Sequence, residues 1–181
     1  MLVITISGSH IRVSQDTDGF FGSETPSLSV FLADEQKEKL DLTGLHSLAE
    51  LVLREENYPD STELTVLLID ESEMSSYNAR FLDREGPTDV LAFPVEELKA
   101  GEVPEIDPFG PPLILGDVII APTYVGKQAE EMEVSLEDEM ALMVTHGILH
   151  LIGYDHQTEQ EAELMEGREG EILRLVGRVR R

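Results

Sequence analysis

The succession strand, helix, strand, helix, strand and then helices predicts an α+β domain built on a small mixed β-sheet. Three observations carry that reading. Residues 64–69 and 113–121 are apolar runs of strand length, as buried strands require. Residues 45–53 repeat leucine, alanine and valine at helical spacing. Residues 136–151 are apolar over so broad a helical face that this helix belongs at the centre of the domain.

Taken in order, residues 1–42 are the least decipherable. Met1-Leu-Val-Ile-Thr-Ile6 reads as a strand, because it has neither the basic flank nor the long apolar segment of a signal peptide. Gly19-Phe-Phe-Gly22 and Thr25-Pro26 read as loop, and Leu28-Ser-Val-Phe-Leu32 as a strand. Leu45, Leu48, Ala49, Val52 and Leu53 form one helix face, and Asn57-Tyr58-Pro59 ends that helix. After the strand at 64–69, Ser72 caps a short helix that carries Met74, Tyr77 and Phe81 and breaks at Gly86-Pro87. Val90 begins another strand. Residues 96–112, rich in proline, glycine and acid, read as an exposed loop and not as a linker, so 1–181 is treated as one domain. Pro122 starts a helix after the strand at 113–121. Ser135 with Asp138, and Thr158 with Glu161, resemble capping boxes for the last two helices, the final one reaching about Val176.

The central helix runs into the most informative stretch, Thr145-His146-Gly147-Ile148-Leu149-His150-Leu151-Ile152-Gly153-Tyr154-Asp155-His156. Residues four apart share a helix face, so His146 and His150 project together. Gly153 can leave the helix through a left-handed conformation, and the turn returns His156 as a third ligand. Three neutral imidazoles leave the fourth position of a tetrahedral zinc ion to water, the arrangement of a catalytic site. His10 and His46 lie outside the pattern and read as surface residues. One group of zinc proteases shares the spacing but carries a glutamate after the first histidine as general base. Here that position is Gly147, so peptide hydrolysis is disfavoured.

The same residues resemble the signature of the YbeY family of bacterial metal-dependent endoribonucleases and ribosomal RNA maturation factors. Gly86-Pro87-Thr88-Asp89-Val90-Leu91-Ala92-Phe93-Pro94 is similar to the family's P-T-D-V-L-S-F-P, with Ala92 for the usual serine. Leu115-Gly116-Asp117-Val118-Ile119 matches its L-G-D-I strand, and the likeness covers about residues 43–177. The resemblance implies a zincin-like fold and a zinc-dependent nuclease, with one Zn2+ per chain on His146, His150 and His156. It also implies ribosomal RNA and ribosomal subunits as partners. The family often reads N-x-x-Y-R before the proline-threonine segment, and the resemblance implies a catalytic arginine there. Aligning on Pro87 sets Asn78 and Phe81 in register but puts Leu82 at that arginine, between Arg80 and Arg84. Arg80 is taken as the catalytic candidate. Asp155 reads equally as an orienting partner of a ligand imidazole and as a turn former, and Thr88 and Asp89 as cleft or strand-entry residues.

Composition bounds the rest. Hydrophobic residues at 41% and charged residues at 28% suit a soluble globular protein, and no run of 18 apolar residues offers a membrane span. The absence of cysteine excludes disulfides and thiolate ligands and is compatible with a cytoplasmic location. A net charge of −24 argues against a nucleic-acid partner unless the protein works at high salt, where distant carboxylates are screened. The scarcity of lysine and the even spread of acid favour salt adaptation. The basic exception is residues 168–181, five arginines against two glutamates, read as charge at a helix C-terminus with a solvated tail in preference to an RNA contact. Two alternatives stand beside the nuclease: a ribosome-biogenesis binding factor with a mainly structural metal, and a hydrolase of a small substrate.

Overall fold

A computed structural model describes residues 28–180 other than 106, 108 and 109. Met1–Ile6, His10 and the loop expected at 19–26 lie outside the described residues. Nine elements follow one another: β1 Ser29–Asp34, α1 Leu42–Glu55, β2 Thr62–Leu68, α2 Glu71–Leu82, β3 Val90–Pro94, β4 Leu113–Ile120, α3 Pro122–Glu131, α4 Leu136–Leu151 and α5 Glu159–Leu175. The strands form one sheet in the order β1-β2-β4-β3. β1, β2 and β4 run parallel, and β3 pairs antiparallel to β4 along the edge. The expected α+β architecture with a small mixed sheet is therefore present. Among the described residues, no helix is long and apolar enough to cross a membrane.

The sheet has two covered faces, which explains the nearly continuous apolar runs of its inner strands. Val66, Leu68, Val118 and Ile120 join the main core with α1, α4 and α5. Ile119 and Leu91, opposite each other in the β3–β4 ladder, turn to the other face and pack with Ile69 and Met74 beside α2. α4 lies centrally, touching α1, α3, α5, β3 and β4. Val144, Ile148, Leu149 and Leu151 are all fully buried along it. That packing holds rigid whatever side chains α4 presents at its ends.

The helix caps show where local sequence was read one step off. The N-cap of α2 is Asp70, whose carboxylate accepts from the backbone N–H of Ser72 and Glu73 at 2.9 Å each. Ser72, expected as the cap, instead donates its hydroxyl to Asp70. A carboxylate at a helix N-terminus satisfies two open donors and complements the helix dipole, so it outcompetes the hydroxyl. α5 carries the expected reciprocal capping box between Thr158 and Glu161. Ser135 caps α4 through the N–H of Asp138, while the Asp138 carboxylate takes the Ser135 hydroxyl. Within the segment 96–112, Leu98 and Ala100 pack against the main core, so the loop is exposed only in part.

Candidate metal centre

α4 sets His146 and His150 one turn apart on a face that opens from the core. Ile152 caps the helix and Gly153 follows at φ +94°. The N–H of Gly153 donates to the His150 carbonyl and that of Tyr154 to the Leu149 carbonyl, the paired bonds of a Schellman motif. A β-carbon on Gly153 would collide with the backbone of Leu98 and would be strained at that φ. The reversal brings His156 back beside the helix. One ring nitrogen from each of His146, His150 and His156 then lies within 4.8 Å of the others. The ring centroids stand 4.5 to 5.5 Å apart.

The outer nitrogens of the first two rings are already committed. His146 Nδ1 donates to the Glu169 carboxylate at 2.7 Å, and His150 Nδ1 donates to the Tyr154 carbonyl at 3.0 Å. A neutral imidazole carries one proton, so both Nε2 atoms present lone pairs. They face each other at 3.1 Å, an arrangement that repels unless something positive lies between them. Two nitrogens bound at 2.0–2.1 Å in a tetrahedron would be about 3.3 Å apart. The donor set thus fits a transition-metal cation. Burial, then the neighbouring His146 and His156, hold His150 below the ordinary imidazole range, which keeps it neutral and able to ligate.

Glu169, on α5, is only 1% exposed. Burial alone would raise its pKa, but hydrogen bonds from His146 and Arg180 outweigh that and hold it below the usual carboxylate range. Arg180 donates its Nε to Glu169 and pairs with Glu166 at 3.1 Å. The turn is fixed from another direction. Tyr154 is buried and donates its hydroxyl to Glu56 at 3.0 Å, and Arg168 binds the other oxygen of Glu56. Burial and Glu56 push the Tyr154 phenol up to about 12, so it stays protonated as a donor. Asp155 accepts from the His156 N–H and from Gln157, which makes it a turn former; the carboxylate that orients a histidine is Glu169.

The three histidines open onto a cleft of about 1000 Å³ lined by β3, by Thr88 and Asp89, and by Arg84. Asp89 accepts from the Thr88 hydroxyl and the Val90 N–H, so it both lines the cleft and ties down the start of β3. Gly147 also faces the cleft floor, where a β-carbon would collide with Val118 and stand 3.2 Å from Val90. The position that holds a base in the zinc proteases is here a close approach of helix to sheet that leaves no room for a side chain. Leu82 and Arg84 line the cleft, whereas Arg80 lies outside the lining with its guanidinium 5.1 Å from the Phe81 ring centroid. α2 ends at Leu82, and Asp83 turns the chain through a left-handed conformation at φ 53°. That turn, which the helical pattern does not reveal, is what separates the directions of Arg80 and Arg84. His46 takes no part; its Nε2 meets the Val30 carbonyl at 3.1 Å.

The contributors missed from sequence are Glu169, Arg180, Glu56 and Tyr154. The one available signal was a tyrosine and two glutamates inside otherwise patterned segments, which single out nothing without the fold.

Residues 31–177 match the family model described as Endoribonuclease YbeY. An Endoribonuclease YbeY of Acidothermus cellulolyticus is 41% identical over 147 residues, covering 81% of this chain and 90% of the relative. One from Thermobifida fusca is 40% identical over 146 residues, covering 81% of this chain and 92% of the relative. Among solved structures, the solution structure of TM1509 from Thermotoga maritima superposes with a TM-score of 0.54. It is 26% identical, over 83% of this chain and 91% of that one.

Proposed function

The chain belongs to the YbeY family of endoribonucleases, and on that premise we propose that it cleaves phosphodiester bonds of single-stranded ribosomal RNA during ribosome maturation, as one metal-dependent hydrolase domain. The observation that carries the reading is the convergence of the three imidazoles, two of them with Nδ1 already spent on Glu169 and the Tyr154 carbonyl. His146, His150 and His156 would hold the ion. Zinc is favoured over magnesium, because all three donors are imidazole nitrogens. A bound zinc supplies a Lewis acid, which acidifies water and draws charge from a phosphoryl oxygen.

The chain's own residues supply position and charge. Glu169 and the Tyr154 carbonyl fix the two helix imidazoles with Nε2 inward. Arg84, at the cleft, meets the non-bridging oxygens of the phosphate, as a guanidinium fork suits. Arg80, outside the cleft lining and over the Phe81 ring, would serve as a substrate contact and not at the reacting atoms. A binding factor with a merely structural metal drew support from Leu82 at the arginine position, and Arg84 in the cleft removes that support. The cleft volume, at the top of the ~300–1000 Å³ range of small-molecule sites, suits a strand better than a small substrate.

The test is RNA cleavage by the purified protein after chelator treatment, then after re-addition of zinc or of magnesium. Activity lost with chelator and restored by zinc is expected. Equal cleavage with and without metal would overturn the proposal, and co-sedimentation with ribosomal subunits would test the partner.

A further inference from the structure

Beside the cleft, three aromatic rings form a cluster that the metal chemistry does not use. Tyr77 and Phe81 lie one turn apart on α2 and stack with centroids 5.9 Å apart and planes 24° from parallel. Phe93, on the edge strand β3, meets Phe81 edge-on at 5.0 Å. Tyr77 and Phe93 are half-buried against Ile69, Met74, Leu91 and Ile119. Phe81 is different. It sits on top of the cluster, 50% exposed, with the Arg80 guanidinium over its ring. Anchoring α2 does not account for it, because Met74 is already fully buried beneath the helix.

The charges around the ring point the same way. Arg54, Arg168, Arg178 and Arg180 are each paired to a carboxylate. Among the described residues Arg80, Arg84 and Arg174 pair with none, in a chain of net charge −24, and of these three Arg80 and Arg84 lie beside the cluster. A half-exposed aromatic face therefore has one such arginine, Arg80, over its ring and another, Arg84, three residues after Phe81 in the lining of the cleft that Phe93 shares. Single-stranded nucleic acids are held by this combination, bases on aromatic rings and phosphates on nearby cations.

We propose that Phe81, backed by Tyr77 and Phe93, is a stacking platform for one unpaired nucleobase of an RNA strand whose neighbouring phosphates lie on Arg80 and Arg84. The base takes the ring face that Arg80 covers, and Arg80 turns onto the adjoining phosphate. A base inside a duplex cannot offer its face, so the platform selects unpaired RNA. The inference rests on the endoribonuclease reading for the substrate class, and its own content is the role of these rings.

The test measures binding of a short, non-cleavable 2′-O-methyl RNA and of an abasic strand of the same length to the full chain by fluorescence anisotropy. Phe81→Ala should weaken binding of the base-bearing strand by about tenfold and leave the abasic strand unchanged. Phe81→Leu keeps the apolar contact with Tyr77 and Phe93 but has no ring, and should lose as much. Phe81→Trp should restore binding. Because the chain has no tryptophan, its single indole should be quenched by the base-bearing strand alone. Equal losses on both strands, or undiminished binding in a folded Phe81→Leu, would overturn the platform. Base-dependent binding that survives while the wild-type protein cleaves no RNA with zinc or magnesium added would sink the nuclease reading and leave the platform standing.

Discussion

Glu169→Gln isolates the contribution of one buried carboxylate to metal affinity. The amide keeps the shape and can still accept from His146 Nδ1, but it removes the charge from a 2.7 Å charge-assisted bond. Hydrogen bonds to a charged partner contribute ~1.5–3 kcal/mol and neutral ones ~0.5–1.5 kcal/mol, so the loss is about 1–1.5 kcal/mol. That corresponds to roughly a tenfold weaker metal complex, the lower end of the ~10–100-fold effect of removing an outer partner of a metal-bound histidine. Glu169→Ala, which leaves His146 without an acceptor, should approach about 100-fold. Arg180 retains Glu166 in both variants, so its own charge stays compensated. Competition for zinc against a chromogenic chelator near neutral pH reads the affinity. Denaturant unfolding of the metal-free proteins separates it from a general loss of stability. Zinc affinity within twofold of wild type in both variants, with His146→Ala still losing the metal, would refute the proposed orientation of His146 by Glu169.

Alanine at His146, His150 or His156 should each lower metal content sharply by elemental analysis; full stoichiometry in all three would remove the site. Tyr154→Phe deletes the donor to buried Glu56 and should cost about 1–3 kcal/mol in unfolding free energy, with circular dichroism following the transition. Glu139 is raised above its usual 4.5 by burial and then by Asp89, against the opposing pull of Arg180. A folded-state pKa above the unfolded one contributes stability below 4.5 that is lost as pH rises through the folded value. Glu139→Gln should therefore be more stable than wild type at neutral pH, with the gap closing under acid; a gap that persists below 4.5 would contradict this. Raising potassium chloride should stabilise the fold by screening 37 acidic side chains, and metal-dependent cleavage should rise before it declines. Cleavage maximal at the lowest salt while the protein stays folded would show that the acidic surface is not a salt adaptation.

The parts legible in the sequence are those whose cause is local. The strands β2 and β4 announce themselves by apolar runs, α4 by its broad apolar face, and the helix exit by Gly153 standing between His150 and His156. The support of the site was illegible because it spans long separations: Glu169 reaches His146 from the next helix, and Tyr154 reaches Glu56 across most of the chain. No periodicity encodes such pairs. Gly147 was legible only as an absence, the missing base, whereas its positive role is to let α4 approach Val118 and Val90. The arginine question turned on a single residue, Asp83, whose left-handed backbone ends α2 in time to present Arg84 to the cleft.

The charge distribution then makes sense of a feature that first argued against an RNA substrate. Three of the five C-terminal arginines, read from sequence as dipole partners on a solvated tail, are ion-paired to the body of the fold: Arg168 to Glu56, Arg178 to Asp138 and Arg180 to Glu169. Two of these three pairs support the histidines, through the Tyr154 turn and through His146. Basic residues in this chain are thus used first to hold acids where the site needs them. What is left for a polyanion at the cleft is Arg84 in its lining, with Arg80 next to it over the Phe81 ring. At ~0.1 M salt a charge is felt over about 10 Å and at ~1 M over about 3 Å. Screening therefore removes the repulsion of distant carboxylates while a phosphate in contact with a guanidinium keeps most of its attraction. An acidic surface with Arg84 at the cleft should therefore admit RNA there more readily as salt rises from a low value.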